Sequence, residues 1–423
     1  MILVAAFAVG LILLGVPIAY VLGLGGALGV WFTGIPMQVI ITRFFSGVDS
    51  FIFLAVPFYI LAAEIMNRSG ITIRLIRIAA LLTGRLAGGT AFANIAASVL
   101  FAGISGSAVA DAAGLGKVFI ENMPKEGYRK DYAAAVTVAS AIIGPIIPPS
   151  GLAIIMAAVT GLSVVDLFVA GVIPGVLLGG ACAVIVAFDA VRGRLPRASV
   201  RIERRELPEL ILEALLVGTL PFVIVGGMVV GAFTATEGGG IAVAAAIFLG
   251  LVVIREMTLA QLWEAFVAAA RVSASIYLLV AAAAILSYAL NLLGIASWVT
   301  AVIPWFSGQP WLFLLALMLL MLALGTFLDI GAAIVIFVPL VMPAVIQLGI
   351  DPVQAAMVIM LSLAIGLITP PVGVVLFVAM RIGNLGMWPL LRALIPFLIA
   401  EVLAIVLLTL IPGLSTWLPS LLR

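Results

Sequence analysis

Two acidic residues stand alone in apolar stretches of this sequence. Asp111 ends the run Ser107-Ala-Val-Ala-Asp111, and Asp329 ends the run Gly325-Thr-Phe-Leu-Asp329. A carboxylate in apolar surroundings is costly unless it is paired or coordinated. Because neither stretch holds a basic residue, a bound cation is the simplest partner. The alternative is a helix N-cap, in which the carboxylate accepts from free backbone N–H groups; both roles can coincide.

Hydroxyl residues precede both acids. Ser105 and Ser107 lie just before Asp111, and Thr326 lies just before Asp329. Hydroxyls and exposed carbonyls at such positions can coordinate Na⁺ or hydrogen-bond a substrate. Small residues are also what a tight turn needs, so a purely structural role stays open.

Two double prolines follow, each beside another hydroxyl residue. Ser150 comes directly after Pro148-Pro149, and Thr369 comes directly before Pro370-Pro371. A double proline removes two N–H donors and frees carbonyls about one turn earlier. Free carbonyls inside a membrane are tolerated where they line a site, and they can bind a dehydrated cation. A mere kink is the alternative.

The amino-acid composition indicates a lipid environment and excludes several classes of functional site. Of 423 residues, 65% are hydrophobic and 9% are charged, whereas a soluble protein is nearer half apolar and a quarter charged. The solvent must therefore be lipid. The net charge of +2 is no nucleic-acid footprint, and the lack of histidine excludes zinc sites and Ser-His-Asp triads. Cys182 is the single cysteine, so no internal disulfide is possible.

The predicted fold is an all-α polytopic membrane protein. Crossing a bilayer takes about 20 apolar residues, and runs of that kind occur near 48–66, 168–191, 210–232, 237–254, 272–293 and 393–411. The first segment, 2–32, contains Pro17 and is either one kinked helix or two short ones, which leaves the side of the N-terminus open.

Shorter apolar pairs predict two hairpins that enter the membrane and turn back. They lie at about 87–120 and about 311–345, and each is followed by a span broken by Gly and Pro, at about 133–160 and about 353–380. The alternation of short helices and small residues is the basis of this prediction.

Basic residues predict the orientation, because loops rich in Lys and Arg stay in the cytoplasm. Three loops carry such clusters. They hold Arg68, Arg74, Arg77 and Arg85; Lys117, Lys125, Arg129 and Lys130; and Arg192, Arg194, Arg197, Arg201, Arg204 and Arg205. A hairpin between the first two clusters returns to the side it left. Residues Ile71–Leu86 read as a helix along the cytoplasmic surface, with a loop of scattered arginines as the alternative.

The chain also repeats itself. Asp329 follows Asp111 by 218 residues, and Gly366 follows Gly144 by 222. We therefore expect a first repeat at 1–191, a basic cytoplasmic linker at 192–209 and a second repeat at 210–423. If the second hairpin enters from outside, the repeats are inverted, as in many secondary transporters built with broken helices.

Four other polar residues have competing interpretations. Glu237 in Thr234-Ala-Thr-Glu237 fits a capping box, and Glu64 fits a membrane interface. Glu401 is an isolated acid in the last span, where packing and function are both open. Asn94 lies in the first hairpin and either faces substrate or makes an interhelical hydrogen bond.

Taken together, these motifs resemble the large membrane subunit of TRAP transporters, the tripartite ATP-independent periplasmic transporters. The resemblance rests on Phe101-Ala-Gly-Ile-Ser105-Gly-Ser107-Ala-Val-Ala-Asp111, Ile142-Ile-Gly-Pro-Ile-Ile-Pro148-Pro149-Ser150 and Leu363-Ala-Ile-Gly-Leu-Ile-Thr369-Pro370-Pro371-Val-Gly. It covers essentially the whole chain in order. It implies an elevator-type carrier with a scaffold and a transport domain.

The resemblance also implies partners. It implies import of an organic acid with Na⁺ as the coupling ion and no other cofactor, in a bacterial or archaeal cytoplasmic (inner) membrane. A soluble periplasmic binding protein delivers the substrate, and a small membrane subunit of about four helices braces the scaffold. Both are expected as separate polypeptides. The family handles C4-dicarboxylates, sialic acids, keto acids and sugar acids, and the sequence does not choose among them.

Carried over by position, the resemblance implies two sodium sites and a substrate site between the hairpin tips. The first sodium site takes Ser105, Ser107, Asp111, Gly144 and Ser150. The second takes Gly325, Thr326, Asp329, Gly366 and Thr369. Substrate contacts are assigned to Asn94, Ser105, Ser107 and Thr326. Ile147 stands where Thr369 stands in the second repeat, so the two sites are not expected to be chemically identical.

Two further hypotheses stay open. The first is a stand-alone Na⁺- or H⁺-coupled carboxylate carrier that needs no binding protein. The second is a channel or an intramembrane enzyme; the missing histidine disfavours an enzyme, and a channel does not need two inverted halves with hairpins.

Overall fold

The protein is an all-α membrane protein. The computed structural model describes residues 2–84, 86–197, 207–294, 301 and 303–422. In that part of the chain the only β-pairing is one isolated bridge between Ala87 and Arg197. Six helices there are long and apolar enough to cross a membrane. They are Phe51–Arg68, Val164–Val191, Ala235–Val253, Leu259–Leu292, Ile330–Gln347 and Met387–Leu410.

The first apolar segment folds as two short helices, α1 (Ile2–Leu13) and α2 (Ile18–Phe32). Gly15 between them has a φ of 77°, a left-handed conformation that favours glycine. This resolves the choice left open by the sequence in favour of two helices. Helices α3 (Gln38–Val48) and α4 (Ala55–Arg68) follow.

The basic segment after α4 is helical. Helix α5 spans Ile71–Thr83, so the helix prediction is confirmed and the loop alternative is wrong. Arg74 of this helix forms an ion pair with Glu256 at 2.9 Å. Arg85, together with the linker residues Arg201, Arg204 and Arg205, lies outside the described residues.

Two helices and an interrupted helix come next. Helices α6 (Gly89–Ser105) and α7 (Ala108–Asn122) are joined only by Gly106 and Ser107. Helix α8 (Lys130–Ala141) then stops, and α9 (Gly151–Thr160) begins after a non-helical stretch that contains a cis Pro148–Pro149 bond. Both ends of this break therefore leave backbone groups outside a regular helix.

Four helices connect this region to the second half of the chain. They are α10 (Val164–Val191), α11 (Leu207–Val229), α12 (Ala235–Phe248) and α13 (Leu259–Leu292). Helix α12 begins with the capping box of Thr234 and Glu237, which confirms that interpretation of Glu237.

The order of two helices and an interrupted helix then recurs. Helices α14 (Pro310–Gly325) and α15 (Ile330–Gln347) are joined through Thr326 to Asp329, and α16 (Pro352–Gly366) and α17 (Val374–Gly383) flank a second break with a cis Pro370–Pro371 bond. Helices α18 (Met387–Leu410) and α19 (Gly413–Leu421) complete the chain. Helix α15, assigned to a hairpin from the sequence, is itself of membrane-crossing length.

Helix α13 is the long wall on which the first helices pack. It contacts α2, α3 and α4. The approach to α2 is close: a Cβ added at Gly26 would lie 2.6 Å from the backbone nitrogen of Leu286 and 2.8 Å from the carbonyl carbon of Ile285. Small residues permit such backbone contact between membrane helices, where packing rather than the hydrophobic effect drives association.

We predict that Gly26→Ala destabilises the protein by about 1–3 kcal/mol, because the added methyl group forces α2 away from α13. Gly10→Ala in α1 is the matched control, since a Cβ there meets no atom within 4 Å. Melting of the two purified variants in the same detergent, at one heating rate, checks this. Equal melting temperatures would contradict the close helix contact.

Candidate functional site

The Asp111 carboxylate is the most unusual group in the first half of the chain. The side chain is fully buried, and its Oδ2 lies so close to Gly144 that any Cβ there would overlap it. Ser105 is a polar neighbour, but no described residue donates to either carboxylate oxygen at hydrogen-bonding geometry. A buried carboxylate with both oxygens unsatisfied implies a bound cation or a proton.

The turn between α6 and α7 lies against the break between α8 and α9. A Cβ added at Gly106 would lie 3.6 Å from both the Pro149 carbonyl oxygen and the Gly151 nitrogen. The Ser105 hydroxyl donates to the Ser107 carbonyl at 3.3 Å, and the buried Ser150 hydroxyl donates to the Pro145 carbonyl at 2.5 Å. The tip and the break therefore form one unit, the first cluster, made of Ser105, Ser107, Asp111, Gly144 and Ser150.

The cap of α7 differs from the sequence interpretation. Ser107, not Asp111, is its N-cap, and the Ser107 hydroxyl accepts from the Ala110 nitrogen at 3.4 Å. The expectation that Asp111 begins the second helix of the hairpin is therefore wrong. Asp111 lies one turn further into α7, where it has no free backbone N–H within reach. Capping cannot account for this acid.

The second cluster, Gly325, Thr326, Asp329, Gly366 and Thr369, is held together by backbone contacts. A Cβ added at Gly325 would lie 3.1 Å from the Gly366 Cα, and the Gly373 nitrogen donates to the Thr326 carbonyl at 3.3 Å. Both threonine hydroxyls donate to carbonyls of their own helices, Thr326 to Ala323 and Thr369 to Ile365, each at 2.8 Å. The hydroxyl oxygens keep lone pairs for a further partner.

Asp329, unlike Asp111, is the N-cap of a helix. Its carboxylate caps α15 and accepts from the Gly331 nitrogen at 2.9 Å and from the Ala332 nitrogen at 3.4 Å. One carboxylate oxygen, Oδ1, makes both bonds. The second oxygen is available, so the cap and a bound cation are compatible at this position.

A cavity of about 520 Å³ lies between the turn of α6 and α7, the start of α15 and the wall formed by α4 and α13. Its polar side chains come from both sides. They are Tyr59, Glu64, Asn67, Ser105, Ser107, Ser275 and Asp329. Its charged lining residues are both acidic, Glu64 and Asp329. The rest of the wall is apolar, which is typical of a small-molecule site.

The four residues assigned to substrate divide into two pairs. Ser105 and Ser107 line this cavity, whereas Asn94 and Thr326 do not. Asn94 is fully buried and donates through Nδ2 to the Thr137 hydroxyl at 2.7 Å. The interhelical hydrogen bond, which was the alternative for Asn94, is therefore present. Thr326 is 3% exposed and is turned toward its own helix.

Sequence reasoning did not assign the wall facing these clusters. Tyr59, Asn67 and Ser275 reach the cavity from α4 and α13, and Glu64, interpreted as interfacial, reaches it while forming an ion pair with Arg68. The only sequence signal is that Glu64 and Asn67 lie three residues apart, hence on one face of a helix. Nothing in the sequence tells which face meets the hairpins.

Glu401 lies away from both clusters. It is fully buried in α18, and its Oε1 accepts from the Cys182 thiol at 3.4 Å. Its Oε2 has no hydrogen-bond partner among the described residues. The pairing with Cys182 shows that this acid packs against α10, an arrangement that the sequence left open.

The chain resembles known proteins over nearly its full length. The family described as "Tripartite ATP-independent periplasmic transporter, DctM component" matches residues 4–414. The chain is 33% identical to the 2,3-diketo-L-gulonate TRAP transporter large permease protein YiaN of Escherichia coli (strain K12), over 96% of this chain and 95% of that protein.

Two further comparisons concern a second relative and the fold. The chain is 36% identical to the sialic acid TRAP transporter large permease protein SiaM of Vibrio cholerae serotype O1, over 89% of this chain and 88% of that protein. In fold it resembles the YdaH transporter of Alcanivorax borkumensis, with a TM-score of 0.61 at 18% identity, over 88% of this chain and 87% of that one. The all-α membrane fold, the buried acid beside a broken helix and these matches lead to one conclusion: the chain belongs to the TRAP transporter large permease family, and it is a membrane transport protein rather than an enzyme.

Proposed function

We propose that this permease imports an organic acid by sodium coupling, with substrate delivered by a periplasmic binding protein. The observation that carries the sodium assignment is the Asp111 carboxylate, which is buried against Gly144 with neither oxygen satisfied. Sodium prefers oxygen ligands, and this acid touches the break between α8 and α9 at Gly144, where the helix is interrupted. The first cluster would therefore hold one sodium ion.

The charge of the cavity supports coupling of an anion to a cation. Asp329 gives the cavity a negative charge, because Glu64 is paired with Arg68 and no Lys or Arg lines the cavity in the described part of the chain. A carboxylate substrate would be repelled there unless a cation screened Asp329. A sodium ion in the second cluster would remove this repulsion and so favour substrate binding. Backbone N–H groups at the starts of α7 and α15 would then meet the substrate.

The substrate class is an organic acid such as a sugar acid or a sialic acid. The named substrates of the two relatives, 2,3-diketo-L-gulonate and sialic acid, are both carboxylates with hydroxyl groups. Ser105, Ser107, Asn67 and Ser275 offer the cavity hydrogen-bond donors and acceptors for such molecules. Thr326 and Asn94 do not line the cavity, so they would support neighbouring residues rather than touch the substrate.

We further propose that the two hairpins and broken helices move as one transport domain against α4 and α13, in an elevator motion in the bacterial inner membrane. A small four-helix membrane subunit would brace the fixed helices. Two inverted repeats, about 1–191 and 210–423 with 192–209 as linker, would give the two end states. A stand-alone carrier of the same superfamily is the alternative, and reconstitution separates the two.

For Asp111→Asn we predict loss of the sodium response without loss of the fold. The amide removes a buried charge that has no partner, so melting without Na⁺ should stay the same or rise. The Na⁺ concentration for half-maximal stabilisation should rise at least tenfold. Glu401→Gln, a buried acid outside both clusters, is the control and should respond like the parent protein. An unchanged Na⁺ response in Asp111→Asn would disprove the first sodium site.

At Asp329 a pair of variants separates capping from sodium binding. Asn caps a helix about as well as Asp, whereas Ala costs about 1 kcal/mol. We expect Asp329→Asn to melt like the parent and yet require at least tenfold more Na⁺ for uptake, and Asp329→Ala to lose stability as well. Uptake against Na⁺ concentration in proteoliposomes checks this. If Asp329→Asn keeps the parent Na⁺ dependence, Asp329 is a cap alone.

We predict that the purified chain alone transports poorly. Proteoliposomes containing this chain, with and without the small membrane subunit and the binding protein, are compared for uptake of radiolabelled sialic acid, 2,3-diketogulonate and succinate under an inward Na⁺ gradient. Uptake should require all three proteins and should vanish when the gradient is removed. Rapid Na⁺-driven uptake by the chain alone would favour the stand-alone carrier.

A further inference from the structure

Asp111 is fully buried whereas Asp329 is exposed, and the two acids also differ in their access to the cavity. Asp329 lines it, so a cation bound there can leave with the substrate. Asp111 is absent from the cavity lining and is fully buried, although its neighbours Ser105 and Ser107 reach the cavity. A cation on Asp111 therefore needs either a passage past the tip or a separate exit.

A line of polar side chains leads away from Asp111 on the other side. Thr90, Asn94, Ser98 and Ser105 lie within about 80° of one another on α6, since each residue turns the helix by about 100°. Asn94 and Ser98 are fully buried. We call Thr90, Asn94, Ser98 and Ser105 the polar stripe.

Helix α8 carries the matching groups. The Ser98 hydroxyl donates to the Ser140 hydroxyl at 2.8 Å, and Asn94 Nδ2 donates to the Thr137 hydroxyl at 2.7 Å. Gly144, which touches the Asp111 carboxylate, follows Ser140 by about one helical turn, just after the end of α8. Polar pairs thus bridge α6 and α8 at Asn94 and at Ser98, two turns before the tip residue Ser105.

One atom of this arrangement is left without a partner. Asn94 Oδ1 is buried and accepts no hydrogen bond from any described residue. The hydrogen bond to Thr137 accounts for the buried amide nitrogen of Asn94 but not for this buried oxygen. A buried carbonyl without a donor costs free energy. A ligand that brings positive charge or a donor, such as a cation or water passing the position, would satisfy it.

The stripe ends at a second opening. A pocket of about 270 Å³ at the base of α6 and α7 is lined by Thr90, Ala93, Asn122 and Glu126, among others. The Thr90 hydroxyl donates to the Glu126 carboxylate at 2.5 Å, and both residues are half-buried. The positive-inside rule predicts the cytoplasmic face for this end, because Lys125, Arg129 and Lys130 follow α7. An acidic group therefore stands at each end of the stripe, Asp111 inside and Glu126 at the opening.

The second repeat has no such feature. Helix α14, which corresponds to α6, carries no hydroxyl, amide or charged side chain from Pro310 to Gly325. This difference between the repeats matches the difference in access, because Asp329 itself lines the cavity and Asp111 does not.

We propose that the polar stripe is the route by which a cation passes between Asp111 and the cytoplasm, separate from the route of the substrate. The identity of that cation as sodium rests on the function proposed above. The hydroxyls of Ser98, Ser140 and Thr137 and the free Asn94 Oδ1 replace the water of the ion in turn, and Glu126 receives it at the surface. Exit past Ser105 into the cavity is the competing route.

A kinetic test separates a route from a binding site. A substitution on the route changes the rates of cation binding and of cation release by the same factor. The equilibrium constant stays unchanged, because the substituted residue contacts the cation neither when it is bound at Asp111 nor when it is free in solution. Relaxation after Na⁺ jumps, measured as charge movement on solid-supported membranes with the cytoplasmic side exposed, gives the rates. Melting against Na⁺ concentration gives the affinity.

We expect Thr137→Val and Ser98→Ala, combined, to slow this relaxation at least tenfold and to change the Na⁺ affinity less than twofold. Ser362→Ala is the control, since Ser362 is fully buried and bonds only to its own helix, at Val358. Unchanged relaxation would overturn the proposal in favour of exit through the cavity. A change in affinity, or a loss of stability with unchanged rates, would overturn it in favour of a ligand or packing role.

A second test does not depend on sodium coupling. In a Cys182→Ala background, Asn94→Cys is compared with Ile95→Cys, whose side chain faces Gly179 on α10. Ag⁺, which is close to Na⁺ in size, is applied to the cytoplasmic side, and free thiols are counted with maleimide after denaturation. Asn94→Cys should lose its thiol at least tenfold faster than Ile95→Cys. Equal rates would refute the route even if sodium coupling holds.

Discussion

The cost of a charge in apolar surroundings governs the centre of this protein. Asp111 lies in an interior of alanine, valine and isoleucine, where an unpaired carboxylate would destabilise the fold by several kcal/mol. Neither oxygen of this carboxylate has a hydrogen-bond partner among the described residues. The break between α8 and α9 brings Gly144 to the acid, and the tip formed by Gly106 and Ser107 lies against the break.

Glycine makes these contacts possible, because the backbone itself has to approach. The Asp111 carboxylate can lie against the break after α8 only at a residue without a Cβ, which is Gly144. The second cluster uses the same device in another form, since Gly325 and Gly366 bring two backbones together. In each case a methyl group would separate the hairpin from its broken helix, so the geometry of the site and the packing of the helices are one constraint.

The two clusters share an order of elements and differ in chemistry. Asp329 caps a helix and faces the cavity, whereas Asp111 caps nothing and faces the interior. Under the proposed function, a cation at Asp329 would be exposed to the substrate, and one at Asp111 would be shielded from it. The two acids would then have different tasks: Asp329 would adjust the charge of the cavity, and Asp111 would tie the hairpin to the broken helix.

The sequence by itself determined the solvent, the helical class, the positions of the breaks and the two acids, because hydropathy and double prolines act locally. The capping box of Glu237 followed for the same reason. The sequence misplaced the cap of α7, since Ser107 and Asp111 are both good N-terminal residues and only the actual start of the helix decides between them. Tertiary structure alone decided that Tyr59, Asn67 and Ser275 face the hairpin tips, that Asn94 bonds Thr137 and that Cys182 meets Glu401. These contacts join helices far apart in the chain, and no local pattern specifies which face of one apolar helix meets another.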